Sequence, residues 1–362
     1  MGEAAALVLE APGRLVRRRL AVPAIGDDDA LLRVEACGLC GTDHEQYSGA
    51  LPAGYAFVPG HETVGVVEAI GDSAAARWGV TAGDRVAVEV FQSCGRCAQC
   101  ETGEYRRCTR HGIADMYGFI PVDKAPGLWG GYAEIQYLSA DTVLHRIPAG
   151  LDPVLATLFN PLGAGVRWGV TVPGTAPGDT VAVLGPGVRG LCVLAAVRRA
   201  GAGFVMVTGC GPRDAGRLEA AKRFGADLVV DVDTVDPVRA LRDATGGLCD
   251  VVVDVTAKAP AAFAQAIALA RPGGTVVLAG TRGSADVPGF WPDMIVFKEL
   301  RMFGALGVDS PAYRSAIEIL TSGDFPFASL ERSVAGLDDV EDLLATMAGG
   351  DRVPPVHGVL VP

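Results

Sequence analysis

Basic residues are in short supply. Lys and Arg number 31 against 42 Asp and Glu, giving a net charge of −11 and an isoelectric point near 5.0. A nucleic-acid-binding surface needs a basic face, so that class of partner is excluded. No uninterrupted apolar run approaches the roughly 18 residues of a membrane helix, which excludes a membrane-spanning reading. The first residues, Met1-Gly-Glu-Ala-Ala-Ala-Leu7, lack the basic and long apolar stretches of a secretory signal, so a cytoplasmic protein is expected. Internal repeats and low-complexity segments are lacking too. The nine cysteines are an odd number, and four of them fall within fifteen residues. In a reducing compartment that clustering favours a metal over disulfides.

What is present points to an α/β protein. The 362 residues suffice for one large domain or two ordinary ones, and 49% are hydrophobic, enough for a substantial core. The central feature is Val181-Ala-Val-Leu-Gly185-Pro186-Gly187-Val188-Arg189-Gly190-Leu191. A short apolar run meets Gly185-x-Gly187-x-x-Gly190, and Leu191 to Ala200 follow as helix material closed by Gly201. Strand, glycine turn and helix in that order are the context a dinucleotide fingerprint requires. The first glycine permits the turn, the second lets the backbone approach a pyrophosphate, and the third lets helix and strand pack closely. The helix N-terminus supplies N–H groups and partial positive charge to the phosphates.

Beyond this motif, β/α alternation is regular. Strands are expected at 204–208, 227–231, 250–254, 275–280 and 300–304, with helices at 217–224, 235–245 and 259–270. With the fingerprint strand they make a six-stranded, doubly wound parallel sheet. Pro311 to Gly323 and Leu337 to Gly349 read as amphipathic helices, and Val359-Leu-Val361 as a strand returning to the first domain. The N-terminal part is mostly β, with Ala5–Glu10, Ala30–Ala36, Thr63–Ile70, Gly83–Val88 and Gly130–Tyr137 as candidate strands. Leu155 to Val170 reads as helix, broken early by Asn160-Pro161.

Cys94, Cys97, Cys100 and Cys108 are spaced C-x2-C-x2-C-x7-C. Four thiolates at this spacing can close a tetrahedral zinc cage with no open position, which makes such a site structural. An iron–sulfur cluster uses similar spacing, but no Pro follows the fourth Cys.

Together with Cys40-Gly-Thr-Asp43, Gly60-His-Glu62 and Gly131-Tyr-Ala-Glu134, these motifs give a full-length match to a known pattern. The chain resembles the zinc-containing medium-chain dehydrogenase/reductase family, nearest its polyol, threonine and archaeal glucose dehydrogenase branch. The resemblance implies a GroES-like, β-rich catalytic domain formed by residues 1–161 and 307–362. Residues 162–306 would then be a Rossmann cofactor-binding domain. It implies two zinc ions per chain, one catalytic and one structural at the four cysteines, and NAD(P). The reaction implied is hydride transfer between the nicotinamide and a secondary alcohol or polyol, or the ketone. A homodimer or homotetramer, often paired through the edge of the Rossmann sheet, is implied as well.

Cys40 and His61 suit zinc as soft and borderline ligands. A zinc with an open position lowers the pKa of an alcohol hydroxyl and polarises a carbonyl in the reverse direction. The resemblance gives Asp43 the role of orienting His61 and Glu62 that of neighbour or alternative ligand. Thr42 would take the alcohol proton. Three departures stand out. The third ligand position is Asn160, a neutral amide that would bind zinc directly, hold a zinc-bound water, or yield to Glu62. The usual relay His is replaced by Glu45, with His44 one residue earlier. No acidic residue ends the second Rossmann strand at Thr208-Gly209; Arg213 and Arg217 follow, which favours NADP over NAD. Val255, Thr256, Ala279, Gly280, Thr281, Ala305 and Leu306 match further cofactor-lining segments, and Lys298-Glu299 a charged pair near the substrate mouth.

Two competing readings are a zinc-poor reductase of the same superfamily acting on an activated double bond, and a non-catalytic zinc-ribbon protein that binds nucleotide. Cys40, His61 and Glu62 together count against the first. The full Cys40/Thr42/His61 set counts against the second.

Overall fold

The computed structural model describes residues 2–283, 285–347 and 354–362. The chain divides into two compact units, Met1–Asn160 with Ala328–Pro362, and Pro161–Phe327. Among the described residues, no helix is long and apolar enough to cross a membrane.

The first unit is built on a seven-stranded sheet. Its path runs Arg332–Ala335, His357–Leu360, Ala30–Leu39, Glu62–Ile70, Arg85–Val88 and Leu144–Arg146, and Ile135–Leu138 also pairs with Ala30–Leu39. The strand from the far end of the sequence lies antiparallel to Ala30–Leu39, with Leu360 opposite Cys37 and Gly358 opposite Leu39. A hairpin of Glu3–Ala11 and Arg14–Ala21 stands apart from this sheet. Its second strand, Arg-Leu-Val-Arg-Arg-Arg-Leu-Ala, gives no sequence signal because charge interrupts the alternation and the strand is largely exposed. The core of this unit gathers Leu7, Leu32, Leu39, Val67, Ile120, Leu128, Tyr132 and Leu138.

The second unit is a six-stranded sheet in the order Leu228–Asp231, Phe204–Gly209, Thr180–Leu184, Cys249–Asp254, Ala270–Leu278, Arg301–Gly304. All five pairings are parallel. This is the 3-2-1-4-5-6 order, with the glycine turn leaving a central strand where the order reverses. Both faces are apolar, as in Val181–Leu184 and Val251–Val253, which are essentially inaccessible.

The boundary between the units differs from expectation. Helix Ser310–Ser322 belongs to the second unit, so the chain returns to the first at 328 rather than near 307. Asp309, which caps this helix, is ion-paired to Arg167 at 2.9 Å, and Trp168 Nε1 donates to the Gly307 carbonyl. Asn160-Pro161 does not break a helix. The interruption comes earlier, at Thr157-Leu158, and Pro161 sits in the first turn of Phe159–Val166, where no intrahelical N–H bond is lost. The helix expected over 337–349 is seen as Val340–Met347; Ala348 and Gly349 lie outside the described residues.

Candidate active site and cofactor crevice

Cys40 follows strand Ala30–Leu39 directly and caps helix Gly41–Ser48. Its Sγ accepts from the Thr42 N–H at 3.3 Å, and its own N–H donates to Asp43 Oδ2 at 2.8 Å. This is a capping box with a thiol in place of the usual hydroxyl. It holds the Cys40 sulfur at the helix N-terminus, against the Thr42 N–H.

His61 sits just before strand Glu62–Ile70, the neighbour of Ala30–Leu39. The pairing brings Nε2 to 3.2 Å from Cys40 Sγ. Glu62 lies opposite Gly38 in the ladder, and its side chain covers that glycine so closely that a Cβ there would stand 2.4 Å from Oε2. The ligand atoms of Cys40, His61 and Glu62 all lie within 4.8 Å of one another, and all three residues are buried. A soft thiol, an imidazole and a carboxylate converging without water access fit a zinc ion. Two orphaned atoms support the fit. His61 Nδ1 and Asp43 Oδ1 are buried without hydrogen-bond partners and face each other at 3.7 Å. That distance is too long for a hydrogen bond but one small ring adjustment from it. The Phe119 ring lies 5.8 Å from the His61 ring and walls that side; no sequence motif marked it.

Other residues predicted at this site are placed less closely. Thr42 and Glu45 are half-buried on helix Gly41–Ser48. Asn160 is buried at the start of Phe159–Val166, its N–H 3.4 Å from the Thr157 carbonyl. Behind it, Thr157 Oγ1 donates to the Val154 carbonyl at 2.7 Å and accepts from His357 Nε2 at 3.1 Å, while Arg332 Nε donates to His357 Nδ1 at 3.1 Å. The imidazole is thus fixed as the neutral Nε2–H tautomer. Burial, followed by the Arg332 charge, pushes its pKa down to about 3.

Cys94, Cys97, Cys100 and Cys108 also bring their sulfurs within 4.8 Å of one another. Opposed pairs are 3.8 Å (Cys94–Cys100) and 4.0 Å (Cys97–Cys108) apart. None of the nine cysteines forms a disulfide. Backbone N–H groups of Thr109 and Cys100 hold the Cys97 thiol down to about 5, which readies it as a thiolate ligand. The lobe is anchored by Tyr105, whose hydroxyl donates to the inaccessible Glu89 at 2.6 Å; Glu89 also takes His145 Nε2 at 2.7 Å.

In the second unit the glycine turn is closely packed. A Cβ on Gly190 would lie 1.8 Å from the Gly185 carbonyl oxygen, whereas one on Gly187 would meet nothing, which leaves that position open to a ligand. Gly187 caps helix Val188–Arg199, and the Gly185 N–H donates to the Thr208 carbonyl at 3.1 Å. Pro186 approaches Gly209, and Arg189 lies over the Trp168 ring at 5.3 Å. Val255 N–H bonds the Leu184 carbonyl, and the Ala279 and Gly280 N–H groups bond the Asp254 carbonyl. The Thr281 carbonyl accepts from Lys258; Ala305 is buried and Leu306 exposed.

The end of the second strand is acidic. Cys210 N–H donates to Asp214, its thiol to Asp233, and Gly211 N–H to Asp231 at 2.9 Å. Arg217 is ion-paired to Asp214 at 3.2 Å, and Arg213 is exposed. Lys298 has another task than the one expected of it. Its ammonium donates to the carbonyls of Ile267, Ala268 and Ala270 at 2.7–2.9 Å and so closes the C-terminal end of helix Pro260–Leu269.

Residues 26–149 match the alcohol dehydrogenase GroES-like domain, and residues 189–322 the zinc-binding dehydrogenase domain. A Mycobacterium tuberculosis H37Rv protein described as a probable alcohol dehydrogenase is 71% identical over 99% of this chain and 98% of its own. The sorbitol dehydrogenase of Bacillus subtilis 168 is 32% identical, over 90% and 88%. A Sinorhizobium meliloti 1021 structure, described as a zinc-binding dehydrogenase bound to NADP, is 30% identical and superposes over 100% of both chains with a TM-score of 0.84.

Proposed function

The chain belongs to the zinc-containing medium-chain dehydrogenase/reductase family and is an alcohol dehydrogenase of it, and from that premise we propose that it oxidises a secondary alcohol or polyol, or reduces the ketone, with a nicotinamide dinucleotide. The observation that carries the proposal is the buried convergence of Cys40, His61 and Glu62 within 4.8 Å. Zinc bound there would lower the pKa of an alcohol hydroxyl and polarise a carbonyl, and the nicotinamide would take up or return the hydride.

The chain's own residues have distinct tasks. Cys40 and His61 would hold the metal, with Glu62 or Asn160 completing its shell. Asp43 fixes the Cys40 backbone through one oxygen and faces His61 with the other. Thr42 Oγ1 takes the substrate hydroxyl proton, and Glu45 passes it outward in place of a histidine. Phe119 keeps water from the His61 side. Cys94, Cys97, Cys100 and Cys108 hold a second, structural zinc, for two per chain. Gly185 to Gly190 and the start of helix Val188–Arg199 hold the pyrophosphate.

Arg213 and Arg217 argue for a 2′-phosphate. Asp214, Asp231 and Asp233 around Cys210 and Gly211 argue more strongly for a hydroxyl, so we set NAD ahead of NADP. Exposed Phe303 and Leu306 at edge strand Arg301–Gly304, with exposed Trp291, Val296 and Phe297, support a homodimer or homotetramer paired through that edge. Nine cysteines without a disulfide suit the cytoplasm.

The test is cofactor reduction at 340 nm with NAD and NADP over a panel of secondary alcohols and polyols, beside cofactor oxidation with enones. Turnover with alcohols is expected. Turnover with enones alone would replace this reading by a double-bond reductase.

A further inference from the structure

Asp254 ends the strand Cys249–Asp254 at the centre of the second unit's sheet and is wholly inaccessible. Few carboxylates are found so deep without a partner that neutralises them. Its Oδ1 accepts from Thr256 N–H at 3.0 Å and from Thr256 Oγ1 at 2.6 Å. Its Oδ2 accepts from Arg282 Nη2. The other guanidinium arm, Nη1, donates to the Gly280 carbonyl at 3.1 Å, and the guanidinium lies over the Phe263 ring at 5.9 Å. The Asp254 carbonyl takes the N–H groups of Ala279 and Gly280 at 2.9 and 3.1 Å. Burial pushes the Asp254 carboxyl up, against the downward pull of Thr256 and Arg282.

One residue therefore binds both turns at the carboxyl ends of adjacent central strands. The turns touch closely: a Cβ on Gly280 would fall 1.8 Å from the Thr256 carbonyl oxygen, and one on Gly185 would stand 3.1 Å from the Thr256 methyl. The glycine turn, the 255–256 turn and the 279–281 turn are thus in register through Thr256 and Asp254. A buried ion pair contributes little net stability against an apolar substitute of the same shape. Its place beside the glycine turn calls for another reason.

We infer that Asp254 and Arg282 are positioning residues for the dinucleotide, clamping the 255–256 turn to the 279–281 turn so that the nicotinamide half of the cofactor meets a preformed wall. The inference rests on the proposed dinucleotide site in this sheet. The clamp touches the cofactor only through the turns it holds. Arg282 lies outside every motif that marks the fold, and its partner is 28 residues away, so no local pattern announces the pair.

The experiment is equilibrium binding of NADH and of ADP-ribose, which lacks the nicotinamide, to the zinc-loaded enzyme and to Asp254→Asn, Arg282→Met, Arg282→Lys and the double variant Asp254→Asn/Arg282→Met. NADH binding is read by its fluorescence and ADP-ribose by competition, at a temperature where circular dichroism finds every variant folded. We expect Asp254→Asn and Arg282→Met each to weaken NADH about tenfold while ADP-ribose changes less than about twofold. The double variant should be no worse than about either single one, because the two act as a unit. Arg282→Lys keeps the charge near Asp254 and should recover part of the loss; it also serves if Asp254→Asn fails to fold. Equal weakening of both ligands would overturn the inference and leave a merely structural pair. Unchanged NADH binding would overturn it too. Failure of the wild type to bind any dinucleotide would instead overturn the reading of the sheet itself, and the clamp with it.

Discussion

Lowering the pH should destabilise this protein through one histidine. His357 is almost wholly buried, and its pKa falls from 6.5 to about 3, first by burial and then by the Arg332 charge. A folded pKa below the unfolded one means that the unfolded chain binds the proton more readily. The stability from keeping His357 neutral is therefore complete above about pH 6.5 and is lost progressively as the pH drops toward 3. At about pH 5 the unfolded imidazole is mostly protonated and the folded one is not, which costs the fold about 2 kcal/mol relative to about pH 7.5. The reference is His357→Gln. Its amide can donate to Thr157 and accept from Arg332, and it carries no proton at either pH. Urea unfolding of both proteins at about pH 7.5 and pH 5 gives the comparison, and every other titrating group, the metal ligands included, cancels between them. The wild type should lose about 2 kcal/mol more than the variant on acidification. An equal loss in both would refute the neutral, buried state of His357, and a larger loss in the variant would refute the sign.

Elemental analysis of Cys40→Ser, purified without chelator, should find zinc falling from about two ions per chain to one, with alcohol oxidation reduced about a thousandfold or more; unchanged zinc would leave Cys40 outside the metal site. Asp43→Ala should weaken the same metal about 10- to 100-fold in a chelator titration while the four-cysteine metal stays in place. Tyr105→Phe removes a donor from buried Glu89 and should cost about 1–3 kcal/mol, with faster release of the lobe zinc to a colorimetric chelator; release at the wild-type rate would mean that Tyr105 does not anchor the lobe. Gly190→Ala drives a methyl into the Gly185 carbonyl and should weaken NADH about tenfold or more by fluorescence titration; ordinary binding would show that the turn relaxes freely.

What the sequence made legible is what one segment can specify alone. The parallel strands are legible as apolar runs between glycine and proline punctuation, and they form the expected six-stranded, doubly wound parallel sheet. The two groups of candidate metal ligands are likewise gathered in space, the first because Cys40 and His61 sit at facing ends of paired strands. Helix Gly41–Ser48 was missed because its sequence is polar and short, and its cap is a cysteine rather than a hydroxyl residue. Lys298 is expected near the substrate mouth by resemblance alone, and no local pattern shows the three carbonyls it meets, which are about thirty residues earlier. The acidic rim at Cys210 combines Asp214, from the following helix, with Asp231 and Asp233 at the end of the next strand. No window at the end of the second strand contains all of them. Helix Ser310–Ser322 lies in the second unit, where its cap residue Asp309 pairs with Arg167, a residue far from it in sequence.

The placement of strand His357–Leu360 sets an order of events during synthesis. The second unit is one unbroken stretch, Pro161–Phe327, and can fold while the ribosome is still extending the chain. The four cysteines lie between residues 94 and 108, and their anchor, Glu89 with Tyr105 and His145, is complete by residue 145. The sheet beside Cys40 is completed only later, because Cys37 and Leu39 pair with Leu360 and Gly358, about 320 residues further along the chain. The four-cysteine group can therefore be assembled from one early segment, whereas the strand that leads to Cys40 gains its last neighbour only from residues 357–360. A chain cut before residue 357 should keep the four-cysteine group and lose that neighbour of the Ala30–Leu39 strand.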